Sequence, residues 1–181
     1  MTVLHLDSSI TGDNSVSRVL SRSIVEQIAT PGTEVVRRDL VADPVPHLTL
    51  DAFADTSVLD EFMAADTVVI GAPMYNFSVP TQLKAWIDRI LVAGKTFRYT
   101  ATGPEGLAGP KRVIVALARG GFYEAGSPSS SLEHLETYLR GIFNFIGIEP
   151  EFVAADGIAI GPEQREASLN AALDESLKLA A

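Results

Sequence analysis

Short apolar runs alternate along the chain with stretches whose apolar residues recur every three or four positions. Residues 2–6, 34–38, 67–72, 112–117 and 151–155 predict five strands. The run Thr67-Val68-Val69-Ile70-Gly71 is apolar without alternation, as expected of a strand covered on both faces. Between the strands lie helical stripes. Val16, Val19, Leu20, Ile24 and Ile28 mark the first. Leu83, Trp86, Ile87, Ile90 and Leu91 mark another, with Pro80 suited to its first position and Gly94 to its end. A weaker stripe covers 58–65, and 132–146 and 163–179 complete the set, the last behind Pro162. Trp86 falls on an apolar stripe and reads as core.

Strands that alternate with helices imply a mainly parallel sheet with helices on both faces. Five of them suit a flavodoxin-like doubly wound sheet of order 2-1-3-4-5, in a single domain over 1–181. In such sheets ligands sit beyond the carboxyl ends of the strands, at the switch point between strands 1 and 3. Three segments are therefore the places to search: those after Leu6, after Ala72 and after Leu117. Asp43-Pro44-Val45-Pro46 reads as a rigid loop and not as a domain boundary.

The first segment, Asp7-Ser8-Ser9-Ile10-Thr11-Gly12-Asp13-Asn14-Ser15-Val16-Ser17, ends on the first turn of a helix. Free backbone N–H groups and the helix dipole favour an anion there, and Ser9, Ser15 and Ser17 add hydroxyl donors. Neither Gly-Lys-Ser/Thr nor Gly-x-Gly-x-x-Gly is present, so a terminal phosphate monoester, as in FMN, fits better than a diphosphate. Asn14 and Ser15 suit a plain helix cap equally well. Arg18 lies close, and its position leaves open whether it faces the loop or solvent.

The second segment, Pro73-Met74-Tyr75-Asn76-Phe77-Ser78-Val79-Pro80, crowds aromatic rings, a thioether and a carboxamide at the ligand edge. A planar heteroaromatic ring wants apolar faces and a few polar groups at its rim; inward packing on the core is the alternative. The third segment, Ala118-Arg119-Gly120-Gly121-Phe122-Tyr123, has paired glycines whose N–H groups could meet the pyrimidine edge of a flavin. It also suits a simple turn, and Arg119 a surface charge.

Composition removes several classes of chemistry. Without cysteine there is no disulfide, thiol catalysis, iron–sulfur cluster or Cys-based zinc site. His5, His47 and His134 match no ligand spacing. His5 reads as a packed or edge strand residue, and His134 with Glu133 and Glu136 as helix surface. Glu163, Glu166, Asp174 and Glu175 read as a solvated face. A formal net charge of −9 argues against nucleic acid and anionic membranes as partners. No leader or spanning segment is legible, so a cytoplasmic location is expected.

Taken in order, these motifs resemble the FMN-dependent NADH-azoreductases, a branch of the flavodoxin-like quinone reductases. The markers are Ser8-Ser9-Ile10 with Asn14-Ser15-Val16-Ser17; Ala72-Pro73-Met74-Tyr75-Asn76-Phe77 with Thr81-Gln82-Leu83-Lys84; Gly94-Lys95-Thr96-Phe97-Arg98-Tyr99-Thr100; Gly103-Pro104-Glu105-Gly106-Leu107; Arg119-Gly120-Gly121; and Phe145-Ile146-Gly147-Ile148. The resemblance implies FMN held at its phosphate by Ser9, Ser15, Val16 and Ser17, at its ring by Met74, Tyr75, Asn76 and Phe77, and at its pyrimidine edge by Ala118, Arg119, Gly120 and Gly121. It implies a homodimer, with Phe97 and Tyr99 shaping the substrate pocket. It also implies two-step turnover in which NADH or NADPH reduces the flavin and a quinone or azo compound is then reduced. Tyr99 and Tyr123 are candidate proton donors. Two departures stand out: Ala118 where the family commonly has serine, and a connection over 43–67 that is shorter than in many members. A flavodoxin-type electron carrier without its own NAD(P)H turnover is the rival reading, and a flavin-free α/β domain a third.

Overall fold

A computed structural model describes residues 1–180. β1 (Thr2–Asp7), β2 (Glu34–Asp39), β3 (Thr67–Pro73), β6 (Arg112–Arg119) and β7 (Glu151–Asp156) form one parallel sheet in the order β2-β1-β3-β6-β7. The expected order 2-1-3-4-5 differs in its numbering. An antiparallel hairpin, β4 (Phe97–Thr100) and β5 (Gly103–Gly106), intervenes between the third and fourth sheet strands and is absent from the sequence reading.

Period-two alternation in the buried strands splits the core into two layers. Leu4, Leu6, Val68, Ile70, Val113, Val115 and Leu117 face α2 (Ser57–Ala64), α3 (Thr81–Ile90) and α4 (Glu136–Phe145). Val3, Val69, Ile114 and Ala116 face α1 (Val16–Ile28) and α5 (Pro162–Ser176). Trp86 is fully buried and meets Phe62 edge-on at 5.9 Å. β3 is buried along its whole length, as its unbroken apolar run requires.

The hairpin is docked rather than free. Phe97 packs on Phe145 at 4.7 Å, and a Cβ on Gly106 would stand 2.2 Å from the Gly147 nitrogen. Helix ends differ from the sequence expectation by a few residues. Pro80 precedes α3 as its cap, and α3 ends at Ile90, well before Gly94. The 132–146 stripe begins as a 3₁₀ turn, Ser130–Leu132, and becomes α-helical only from Glu136. The connection over 43–67 contains the 3₁₀ turn Asp51–Ala54 and α2. No helix among the described residues is long and apolar enough to cross a membrane.

Candidate functional site

On the α1 side of the sheet, β1 presents Val3, then His5, then Asp7, so polarity rises toward the carboxyl edge. His5 is buried, with Nε2 3.0 Å from Ser21 Oγ, which in turn lies 3.0 Å from Asp7 Oδ1. Gly71 makes this packing possible, because a Cβ there would meet Asp7 Oδ1 at 2.7 Å. The next residue, Ser8, sends both its N–H and its Oγ to the Gly71 carbonyl, at 3.3 and 2.7 Å. The loop after β1 is thereby sewn to β3.

Arg18 resolves the question its sequence position left open. Its Nε and Nη2 donate to the Ser9 carbonyl at 3.2 and 2.8 Å, and Nη1 and Nη2 to the Asp39 carboxylate at 2.7 and 2.8 Å. The hydrogen bond from Arg18 holds the Asp39 carboxyl below its ordinary range, and the same bond raises Arg18 against the opposing effect of burial. Asp39 also accepts from the Val41 N–H at 2.9 Å, so one ion pair joins the first loop to the end of β2.

Ser15 caps α1: its Oγ accepts from the Arg18 N–H at 3.2 Å and lies 3.1 Å from Ser17 Oγ. Ser9 Oγ lies 3.0 Å from Thr11 Oγ1 and 3.2 Å from Tyr75 Oη, while the Ile10 N–H donates to Tyr75 Oη at 3.1 Å. Ser9, Ser15 and Ser17 are all buried.

The loop after β3 is a tight two-residue turn. Tyr75 and Ser78 exchange N–H···O=C bonds of 3.1 Å, and the central residues Asn76 and Phe77 have φ of 48° and 71°. Asparagine tolerates that region, but an aromatic residue there is strained. Phe77 is fixed by its carbonyl, which accepts from the His134 N–H at 3.1 Å, and by an edge-on contact with Tyr123 at 6.3 Å. Met74 donates its N–H to the Ala118 carbonyl at 2.9 Å, which ties this loop to the end of β6.

Strand β6 continues through Ala118 and Arg119, two residues beyond the expected end. Arg119 is not a surface charge: its side chain is 5% exposed. Nε and Nη2 donate to Asp156 at 2.5 and 2.8 Å, and Nη1 to Glu136 at 3.4 Å, with Glu133 at 3.7 Å. Burial works against the Arg119 charge, but the Asp156 hydrogen bonds and the three carboxylates outweigh it and hold its pKa above the ordinary value. Glu133 and Glu136 therefore serve Arg119 and not an idle helix surface. Glu133 also accepts the N–H groups of Leu135, Glu136 and Thr137 at the start of α4. The carbonyls of Arg119, Gly120 and Gly121 accept from Ile158, Ala159 and Gly157, which places the loop after β7 against the paired glycines.

These loops enclose a cavity of about 490 Å³, within the usual range for small-molecule sites. Of the residues singled out in the sequence, Ser9, Ser15, Val16, Met74, Tyr75, Ala118 and Gly120 line it. Ser17 stands behind Ser15. Met74 and Tyr75 also line an adjoining depression of about 640 Å³, together with Asn76 and Ile10. Arg119 and Tyr123 line a separate depression, and Phe97 and Tyr99 sit on the hairpin, outside the cavity lining. Three lining residues escaped sequence reading: Ile158, Ala159 and Arg165. A fourth segment, after the last sheet strand, holds all three.

Comparison with known proteins agrees with the fold. Residues 1–180 match the family described as having a flavodoxin-like fold. An FMN-dependent NADH:quinone oxidoreductase of Bradyrhizobium diazoefficiens is 55% identical, with all of both chains covered. That alignment runs over 201 positions against 181 residues here, a difference of 20 that falls as gaps in this chain. Among solved structures, an azoreductase from Bacillus anthracis superposes with a TM-score of 0.89 at 29% identity, covering 99% of this chain and 98% of its own. An FMN-dependent NADH-azoreductase from the same species, in complex with FMN, gives 0.85 at 25% identity with both chains fully covered.

Proposed function

The chain belongs to the flavodoxin-like family of FMN-dependent NADH:quinone oxidoreductases, and on that footing we propose that it binds FMN in the cavity and uses NADH to reduce quinones and azo compounds. The observation that carries this reading is the convergence of three strand-end loops on one cavity with buried serine hydroxyls on one side and Met74 and Tyr75 on another. The donor set fits the cofactor. Ser9, Ser15 and Ser17 supply hydroxyls beside a helix N-terminus, which suits a phosphate. No carboxylate lines the cavity.

When bound, FMN supplies two-electron hydride chemistry between NADH and the acceptor. The protein supplies position and electrostatics. Ser9, Ser15, Val16 and Ser17 hold the phosphate; Met74, Tyr75, Asn76 and Phe77 hold the ring. N–H groups of Gly120 and Gly121 and the Asn76 amide stabilise negative charge at the pyrimidine edge. Ala118 contributes through its backbone only, since it lacks the hydroxyl of a serine. Arg119 positions the end of β6 through its carboxylates rather than touching the cofactor.

The whole chain acts as one cytoplasmic FMN-binding domain and pairs as a homodimer. Tyr99, Leu50 and Phe53 are exposed apolar groups on segments outside the cavity. A second copy gives these groups cover and brings Phe97 and Tyr99 to a substrate pocket.

The purified protein is expected to be yellow and to oxidise NADH with menadione and with an azo dye. A colourless protein that takes up no FMN would overturn the reading. Dithionite titration that halts at a stable one-electron stage, without NADH turnover, would instead identify an electron carrier. A sedimentation run showing only monomer at micromolar concentration would refute the shared pocket.

A further inference from the structure

Resting on the FMN reading above, we propose that Arg165, from the first turn of α5, is the cationic partner of the cofactor phosphate and sets the preference of the cavity for phosphorylated over unphosphorylated flavin. Four observations carry this. The loop between β1 and α1 brings hydroxyls to the cavity but no lysine, and Arg18 is occupied with the Ser9 carbonyl and Asp39. Arg165 is the one charged residue in the cavity lining, in a chain whose net charge is −9. It reaches the phosphate-side loop, where its Nη2 donates to the Asn14 carbonyl, immediately before the Ser15 cap.

The third observation concerns pairing. Every arginine except Arg22, Arg37 and Arg165 is ion-paired with a carboxylate among the described residues. Of those three, only Arg165 lines the cavity. The fourth concerns the helix. A cation within the first turn of a helix stands against the macrodipole, which favours anions there. Arg165 donates its own N–H to the Gly161 carbonyl at 2.9 Å, so it sits where that penalty applies. A dianion in the cavity offsets the penalty and uses guanidinium N–H groups that the Asn14 carbonyl leaves free.

The test compares FMN with riboflavin, which shares the ring and ribityl chain but lacks the phosphate. Apoprotein is titrated with each by flavin fluorescence, for the wild type, Arg165→Ala, Arg165→Gln and Arg165→Lys. The expected result is a loss of FMN affinity of about 10- to 100-fold in the Ala and Gln variants, the range for a charge-assisted contact. Riboflavin affinity should stay within about twofold, and the Lys variant should recover part of the loss. Added salt should weaken FMN binding more in the wild type than in Arg165→Ala. Unchanged FMN affinity in Ala and Gln overturns the proposal. So does an equal loss for both ligands, which assigns Arg165 to tethering α5. Wild-type protein that binds neither flavin overturns the cofactor reading itself, a result distinct from wild type that binds FMN while the variants bind it equally well.

Discussion

Two walls of the cavity are each rooted by an arginine behind the lining, Arg18 half-buried and Arg119 buried, and the two are used in opposite ways. In the wall after β1, Arg18 turns inward along the loop: two of its donors hold the Ser9 carbonyl and its remaining capacity goes to Asp39. In the wall at the end of β6, Arg119 turns away from the cavity into a cage of Asp156, Glu136 and Glu133. The first arginine shapes the binding loop itself. The second joins β6, β7 and the start of α4, and shapes the loop only by holding its root. Adjacency in sequence to a binding loop thus leaves the direction of a long side chain undetermined; the partners available across the fold decide it.

The largest effect expected from breaking this contrast is on stability at the β6 wall. Arg119→Ala leaves Asp156 and Glu133 without their cation, beside a Glu136 that keeps Arg140 at 2.9 Å. Loss of one partner from a buried ion cluster costs about 3–5 kcal/mol, measurable as a fall in the urea midpoint. A loss below about 1 kcal/mol would show that the cage is solvated and contributes little. The β1 wall should respond differently. Arg18→Ala is expected to cost less stability, about 1.5–3 kcal/mol for hydrogen bonds to a charged group. Its clearer effect should be on FMN affinity, because Ser9 loses the clamp on its carbonyl. Equal stability losses in the two variants, with FMN binding untouched, would erase the distinction.

A smaller effect separates backbone from side chain at the turn after β3. Asn76→Ala forces a left-handed conformation on alanine, at about 1–2 kcal/mol, and removes the amide. Asn76→Gly removes the amide but keeps the turn. Both are expected to lower turnover and loosen FMN, whereas only the alanine variant should lose stability in thermal melts. A glycine variant with wild-type flavin affinity would remove the amide from the site.

Much of this was legible in the sequence because it rests on local pattern. The five sheet strands follow from apolar runs, and the loops after β1, β3 and β6 follow from where such sheets bind ligands. Other features rest on contacts between distant residues. β5 reads Gly-Pro-Glu-Gly, a composition that argues against a strand. It forms one because Arg98 meets Glu105 across the hairpin at 2.8 and 2.9 Å, and because Pro104 sits in a two-stranded ribbon with an open edge. The inward turn of Arg18 depends on Asp39, 21 residues away, and the cage of Arg119 on Asp156, 37 residues away. The reach of Arg165 to Asn14 spans 151 residues. Periodicity carries no trace of such pairings.

The smallest expected effect is acid sensitivity at the β1 wall. Asp39 has its folded-state pKa depressed by Arg18, so its contribution to stability is complete above the ordinary carboxylate range. It fades as the pH falls through the depressed value. Asp39→Asn should flatten the acid limb of stability against pH, measured by urea titration between about pH 6 and pH 3. A variant whose acid limb matches the wild type would assign acid loss to other carboxylates.

The cavity draws on residues from Ser9 to Arg165, so its walls are made at widely separated moments of translation. A nascent chain that has just left the ribosome up to β6 already carries the residues of the serine loop and of the turn after β3, but it lacks His134 and Tyr123, which fix that turn, and Ile158, Ala159 and Arg165. Its groove is open on the side that the last helix later closes. On the FMN reading, tight capture of the flavin therefore waits for α5 and follows translation past Arg165.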